Sequence, residues 1–556
     1  MDYQFHGFED LRFHVNGSVE YNNGRITNWS NPYSYAGCYK GWNEWEKEKR
    51  YNLMYSAYLQ YFKDFNDNHH FDIMGGFEWS RKHYEGDGFG YAQTPIYDAS
   101  GSLTGYEQVD TKGKPWEGES YLASVFGRAN YVLLDRYIFT ATVRYDGSSR
   151  FSTGNKWGLF PSAAFAWRIK DEKFLKNVDW VSELKLRLGY GQTGQQDGIG
   201  NYTYFASYNT NAVADSYYPA MGNGELYRPD AYNAKLTWET TTTYNVGLDF
   251  GIINNKLFGS VDAYLRKTTD LINSVYVAGL SNFKNKVTGN VGDMENKGVE
   301  VSLTYRPIQK NGWFWEISAN ATYNHNEITK TAGGQIIKTG GISAGTGGEC
   351  QAHAEGHPRS SFYVYQQVYD ENGHAVEGVY VDRNADGQIT EDDRYFYKSP
   401  DAPWQAGLST KLQYKNWDLG IGLRGSWGNY VYNDVEAGFC NVSKTFDSSF
   451  AYNGYNKNIL KDAVALNWVT YDNVTSDYFV QNASFVRLDN ITLGYTFENF
   501  LAAGKYKGMS GRIYAAATNI ATFSKYKGLD PEVSGGIDNN LYPRPFTIQL
   551  GLNVNF

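Results

Sequence analysis

The chain has 556 residues with a net charge of -9, from 51 basic and 60 acidic residues, and 17% of it is aromatic, with 48 Tyr, 31 Phe and 15 Trp. This length exceeds one ordinary soluble core, and the charges are spread without basic blocks, which excludes a nucleic-acid footprint and leaves nucleic acid out as a partner. No apolar run approaches 18 residues, so no transmembrane helix is expected, and a spanning structure must be a closed sheet recognised by alternation.

Sixteen strands can be placed in chain order, near 11–21, 52–62, 69–79, 121–133, 136–146, 157–168, 184–192, 239–250, 257–266, 297–305, 313–323, 404–414, 417–427, 480–497, 511–522 and 547–556. In the first, Leu11, Phe13, Val15, Val19 and Tyr21 interleave with Arg12, His14, Asn16, Ser18 and Glu20. Leu184, Leu186 and Leu188 oppose Lys185 and Arg187, and Val299, Val301, Leu303 and Tyr305 oppose Glu300, Ser302 and Thr304. A period of two puts one apolar and one polar set on opposite faces. In the last strand Phe546, Ile548, Leu550, Leu552, Val554 and Phe556 alternate with polar or small residues, and a chain ending on an aromatic predicts an outer-membrane assembly signal at Phe556.

Connections alternate in length. Short ones fall at Asn66-Asp67-Asn68, Leu134-Asp135-Arg136, Asn254-Asn255, Gln309 to Gly312 and Lys415-Asn416, and long ones near 22–51, 80–120, 193–238, 267–296, 324–403 and 428–479. Short turns on one side and long loops on the other are expected of an outer-membrane barrel, with loops extracellular and the C-terminus periplasmic. The fold class is therefore all-β, a transmembrane antiparallel β-barrel in contact with outer-membrane lipid.

One motif has metal-ligand spacing. Asp382-Arg383-Asn384-Ala385-Asp386-Gly387-Gln388, continuing to Asp393 at position twelve, follows an EF-hand-type calcium loop. Side-chain oxygens of Asp382, Asn384, Asp386 and Asp393 and the carbonyl of Gln388 would surround a structural Ca2+ in the longest extracellular loop. Cys350, His353 and His357 sit in a Gly/Pro turn without an evident fourth ligand for zinc, and Asp146-Gly147-Ser148-Ser149-Arg150 lacks a partnered His. No catalytic constellation is present, so no enzyme is expected. Cys38, Cys350 and Cys440 fall in loops and read as incidental, with one loop disulfide left open. The N-terminus carries neither a basic nor an apolar signal region.

The runs at 131–151, 157–169, 184–202, 296–307, 382–393, 485–497 and 519–533, with the closing strand, resemble the SusC/RagA family of TonB-dependent outer-membrane transporters over most of the chain. The resemblance implies a 22-stranded barrel around an N-terminal plug, coupled to TonB through an N-terminal box. It implies import of oligosaccharides or peptides beneath a SusD-like surface lipoprotein. In that family the acidic turn recurs as a cation site, which strengthens the calcium expectation. Plug, TonB box and about six strands are not found here, so residues 1–556 are expected to be the C-terminal part of one barrel domain, with Met1 a fragment start and the whole molecule longer. Arg144, Arg187 and Arg424 are expected to form a polar lumen wall, whereas no substrate-binding residue can be named. The alternatives are a passive sixteen-stranded porin, separated by a plug encoded upstream, and a soluble carbohydrate-binding β protein, separated by solubility without detergent.

Overall fold

The computed structural model describes residues 2–30, 42–100, 102–112, 115–209, 218–219, 226–277, 286–345, 347–442, 459–498, 510–539 and 541–555. Its contacts cluster in two compact units, residues 1–165, 191–241 and 270–290 in unit 1, and 166–190, 242–269 and 291–556 in unit 2.

The wall of unit 1 is a run of antiparallel hairpins: β1 (Asp2–Phe5), β2 (Phe8–Ser30), β3 (Trp42–Asn66), β4 (His69–Tyr97), β5 (Leu103–Lys112), β6 (Trp116–Leu133) and β7 (Tyr137–Ser148). Then come β8 (Trp157–Arg168), β9 (Val181–Gln195) and β10 (Glu239–Ile252), each with one part in either unit. The wall of unit 2 runs through β11 (Leu257–Thr269), β12 (Gly292–Lys310), β13 (Trp313–Thr331), β14 (Trp404–Tyr414), β15 (Trp417–Trp427), β16 (Phe485–Phe497), β17 (Ser510–Ser524) and β18 (Thr547–Asn555), each antiparallel to the next. Every expected strand has a counterpart, and β1 and β5 are additional. Among the described residues no helix is long and apolar enough to cross a membrane.

The alternation has the consequence expected for lipid. Val301, Leu408, Leu493, Ile513 and Ile548 are 38–64% exposed, on the same face as their cross-strand partners. A soluble sheet would cover such a face; here it is the outer surface, and covering it with hydrocarbon relieves the exposure. Both ends of this band are aromatic. At the short turns Trp313 packs on Tyr414 with ring centroids 4.1 Å apart, Trp417 on Tyr495 at 4.9 Å and Phe71 on Tyr131 at 4.4 Å. At the other end Tyr323 meets Trp404 at 4.7 Å and Trp79 meets Tyr121 at 6.1 Å. Ten rises from Trp404 to Tyr414 span about 33 Å along the strand, or about 25 Å across a bilayer at the usual ~40° tilt. That is the height of a lipid-facing band.

The short turns are built as expected. Leu134 and Asp135 both take positive φ, as do Asn311 and Gly312, which matches the right-handed twist of the flanking strands. The long connections differ from expectation. β2 and β3 pair without interruption from Leu11↔Tyr61 to Ser30↔Trp42, so most of the segment 22–51 is strand, and β4 likewise continues to Tyr97 inside the expected loop 80–120. Past the band both faces of the sheet meet water, so residues 22–30 are almost all exposed and carry no alternation to read. The expected strand 480–497 divides as well. Val480–Asn482 pairs with Tyr430–Asn433 in the loops, and only Phe485–Phe497 belongs to the wall.

The expected long loops 324–403 and 428–479 of unit 2 supply most of a small hydrophobic core. Short strands from distant segments meet there, including a parallel pair of Tyr432 with Ile537. Cys350, Phe362, Tyr432 and Phe479 are fully or almost fully buried within it. Cys440 is also buried there, and both thiols are free. The cysteines are therefore core residues, correcting the reading of them as incidental. Cys38 lies outside the described residues. Unit 1 has its own core of Phe151, Phe160, Ile199, Leu236 and Trp238.

Candidate functional site

The polar face opposite the apolar band is closed by ion pairs. In unit 1 Arg144 donates to Glu78 at 2.8 Å, to Asp146 at 2.7 Å and to the Ser124 hydroxyl at 2.8 Å. In unit 2 Arg187 donates to Asp249 and Asp262 at 2.8 and 2.9 Å. Arg424 donates to Asp489 at 2.5 Å and to Glu532 at 2.5 and 2.9 Å. The three expected arginines do lie on the polar face, but each is bonded across strands to carboxylates and knits the wall together.

A β-bulge creates the densest part of this network. On β16 Leu493 and Ile491 share the apolar face with Leu419 and Ile421, but the register shifts between Asn490 and Leu488. One extra residue, Asp489, reverses the parity, so that Leu488 and Val486 stay on the apolar side and Arg487 turns to the polar side. Arg487 is 3% exposed and donates to Asp530, itself 8% exposed, at 2.6 Å. Arg544 bonds Asp530 at 2.9 Å and Glu532 at 2.7 Å. The segment carrying Asp530 and Glu532, between β17 and β18, is thus strapped to the polar face by two wall arginines, Arg424 and Arg487, while Arg544 of the same segment braces both carboxylates from within. The parity change was legible in FVRLDNITLGYTF, where Val486 and Leu488 are even-numbered and Ile491, Leu493 and Tyr495 odd-numbered.

Beside the strap lies a cleft of about 720 Å³, lined by Asn320, Gln405, Asn429, the Arg359–Asp401 pair, Arg424 and Glu532, among others. Amide groups alternate with compensated charges in a wide polar pocket, which suits a hydroxyl- or amide-rich solute that exchanges many weak hydrogen bonds.

The acidic turn is compact and lies outside the wall. Asp382 accepts from the Gly387 N–H at 2.8 Å, Asn384 from the Asp386 N–H at 3.0 Å, and Asp386 from the Gln388 N–H at 2.8 Å. Ala385 and Gly387 take positive φ, which closes the turn. Asp393 is fully buried and accepts from the Arg383 and Thr390 N–H groups at 2.8 and 2.7 Å, completing a capping box with Thr390. Those backbone donors, Thr390 first, hold its carboxyl below the usual range against the opposing effect of burial. Asp382, Asn384, Asp386 and Gln388 are brought into one turn, while Asp393 ties the ends of that turn together. Among the described residues no three His, Cys, Asp or Glu side chains form a metal-ready group.

The remaining candidates have structural partners. His353 Nδ1 accepts from the Ser360 N–H at 3.0 Å, and His357 stacks on Phe396 at 3.9 Å. Burial pushes the Cys440 thiol up to about 12 and the Cys350 thiol higher still. Arg150 of the Asp146–Arg150 turn bonds Asn201 and Asp197, each at 3.2 Å. Phe556 lies outside the described residues.

Residues 1–520 match the family model described as TonB dependent receptor-like, beta-barrel. The chain is 45% identical to the TonB-dependent receptor SusC of Bacteroides thetaiotaomicron over 100% of its own length and 55% of the relative's. It is 30% identical to a TonB-dependent receptor of Formosa agariphila, over 91% of the chain and 52% of that protein. The chain thus spans about half the length of the curated relatives it matches. Among solved structures, that of the RagAB peptide transporter superposes on 99% of the chain and 60% of the transporter chain, with a TM-score of 0.79 and 26% identity.

Proposed function

Because the chain belongs to the TonB-dependent receptor-like β-barrel family, whose members lie in the outer membrane, we propose that it is the barrel portion of an active importer of oligosaccharides or peptides. In this reading TonB energises transport through a plug and TonB box outside these residues, and a SusD-like surface lipoprotein covers the mouth. The hairpin ends beyond the second aromatic girdle face the outside, and the short turns and C-terminus face the periplasm.

The observation that carries this reading over a passive porin is the strap. A segment pinned to the polar face through Asp530 and Glu532 by Arg424 and Arg487, and braced internally by Arg544, suits a wall that works with a plug and a gated path. The exposed apolar band argues against a soluble carbohydrate-binding sheet. The test is uptake of labelled oligosaccharides and peptides by cells that carry or lack the full-length gene, with TonB present or deleted. Uptake that needs the gene but not TonB would return the protein to the porin class.

The acidic turn is proposed as a structural Ca2+ site built from Asp382, Asn384, Asp386, the Gln388 carbonyl and Asp393. Support comes from the twelve-residue spacing and from the oxygens already gathered in one turn. Calorimetry on the full-length protein should show Ca2+ binding that the double variant Asp382→Ala with Asp386→Ala removes, and unchanged binding refutes the assignment.

A further inference from the structure

Past the membrane band, the polar face of unit 1 carries a second pocket of about 500 Å³, formed mainly by β3, β4 and β6. Its height follows from the opposite face of the same strands. Above Trp79 and Tyr121 the outer residues change from apolar to Arg81, Glu117 and Glu119, a charged surface suited to water.

Two aromatic rings floor the pocket in a reciprocal arrangement. In the β4–β6 ladder Tyr84 stands opposite Gly118 and Trp116 opposite Gly86. A Cβ on Gly86 would fall 2.2 Å from the Trp116 ring, and one on Gly118 would fall 2.4 Å from the Tyr84 ring. Each ring therefore lies across the facing glycine instead of standing away from the sheet, and both line the open pocket. Aromatic cover of strand glycines accounts for the packing, but it does not require a polar rim. Asn52, Ser120 and Asn201 supply that rim.

The lining is also basic in an acidic protein. Arg50, Lys82 and Arg150 stand against Glu48 and against Asp197, which bonds Arg150, so three positive charges minus two leave +1 where the chain as a whole carries -9. Arg50 is paired with Glu48 and Arg150 with Asp197. Lys82 stands across from Asn52 and Ser120, is exposed, and pairs with no carboxylate among the described residues.

We infer that this pocket is a subsite for one sugar ring bearing an anionic substituent, a carboxylate or a sulfate, within an oligosaccharide. The apolar face of the ring packs on Trp116 and Tyr84, the amides and Ser120 meet its hydroxyls, and Lys82 meets the negative group. The inference deepens the importer reading and rests on it only in that the substrate passes this wall; binding is measured without transport.

The test is calorimetry on the detergent-solubilised full-length protein with hexagalacturonate, a sulfated galactan hexasaccharide and, as the neutral probe, maltohexaose. At least one acid should bind tenfold or more tightly than maltohexaose and weaken as salt rises. Trp116→Ala should cost tenfold or more for every probe that binds, and Lys82→Gln should abolish the preference for the acid. Loss of binding in Trp116→Ala counts only in protein whose heat-modifiable gel migration matches the parent, and Lys82→Gln, a surface change, provides the independent arm. Absence of binding by both acids, equal affinity for maltohexaose, or equal competition by hexaglutamate overturns the assignment. Binding without TonB-dependent uptake removes the importer reading alone, and uptake without binding removes this subsite alone.

Discussion

Placing arginine at the centre of the apolar band tests the membrane assignment directly. Leu408 is on the outer face of β14, 46% exposed, four residues from Trp404 and six from Tyr414. One residue from the midpoint of the strand puts it roughly 3 Å from the centre of a band about 25 Å high. An arginine at that depth costs about 2–4 kcal/mol in a lipid-spanning barrel, against about 0–1 kcal/mol at the interface. Leu408→Arg should therefore be destabilised by about 1–4 kcal/mol more than Tyr414→Arg, about fivefold or more in the folding equilibrium. Ser409→Arg, one residue away but on the polar face, is the control for charge itself and should cost far less than Leu408→Arg. The assay is urea-dependent refolding of the full-length protein into lipid vesicles, followed by gel migration. Equal costs at 408 and 414, or a cost below about 1 kcal/mol at 408, would mean that the exposed apolar face does not meet hydrocarbon at this height.

Further outcomes follow from the strap, the turn, the core and the terminus. Asp530→Asn removes the shorter of the two carboxylate contacts of almost fully buried Arg487 and leaves Glu532 at 3.4 Å, so it should cost less than the ~3–5 kcal/mol of a fully broken buried pair; proteolysis between β17 and β18 should accelerate, and an unchanged cleavage rate refutes the strap. The Asp393 carboxyl is held below its ordinary pKa, so its contribution is fully present above the ordinary carboxylate range and fades as pH falls through the lowered value. Amide protection across 382–393, with exchange corrected for its intrinsic pH dependence, should accordingly fall on acidification in the parent and be already lowered at neutral pH in Asp393→Asn; protection that does not change with pH would count against this role. Cys350 and Cys440 should resist maleimide at neutral pH until the fold is opened by denaturant, and rapid labelling of either would displace it from the core. Deleting Phe556 should lower the outer-membrane yield of the full-length protein, and a normal yield rejects it as an assembly signal.

The strands were readable because lipid on one side and water on the other impose alternation: Leu408 and Ser409 belong to different solvents. Where the solvent is the same on both sides the signal disappears, which is why residues 22–30 looked like loop. The small core of unit 2 was hidden for another reason. Its pieces are two to six residues long, and Tyr432 pairs with Ile537 from more than a hundred residues away, so no local period marks them. The acidic turn was legible as spacing, since its donors and acceptors are neighbours in the chain. The lumen arginines could be assigned a face but not their partners, because Arg424 meets Glu532 through a loop and the bulge at Asp489 lies between two runs of opposite parity.

The long ladder between β2 and β3 has a mechanical consequence. About half of its rungs, from Asn22↔Arg50 to Ser30↔Trp42, lie above the apolar band in a single layer with water on both faces. Little burial secures the β2 side, whereas β3 is also paired with β4 from Arg50↔Tyr84 to Trp42↔Ala92, so residues 22–30 of β2 are held mainly by their own hydrogen bonds to β3 and by the rung beneath. This edge of β2 peels as a zipper, from the tip downward, with an opening free energy that climbs residue by residue toward the girdle. The upper wall can fray and re-form around passing solutes while the part in the membrane stays shut.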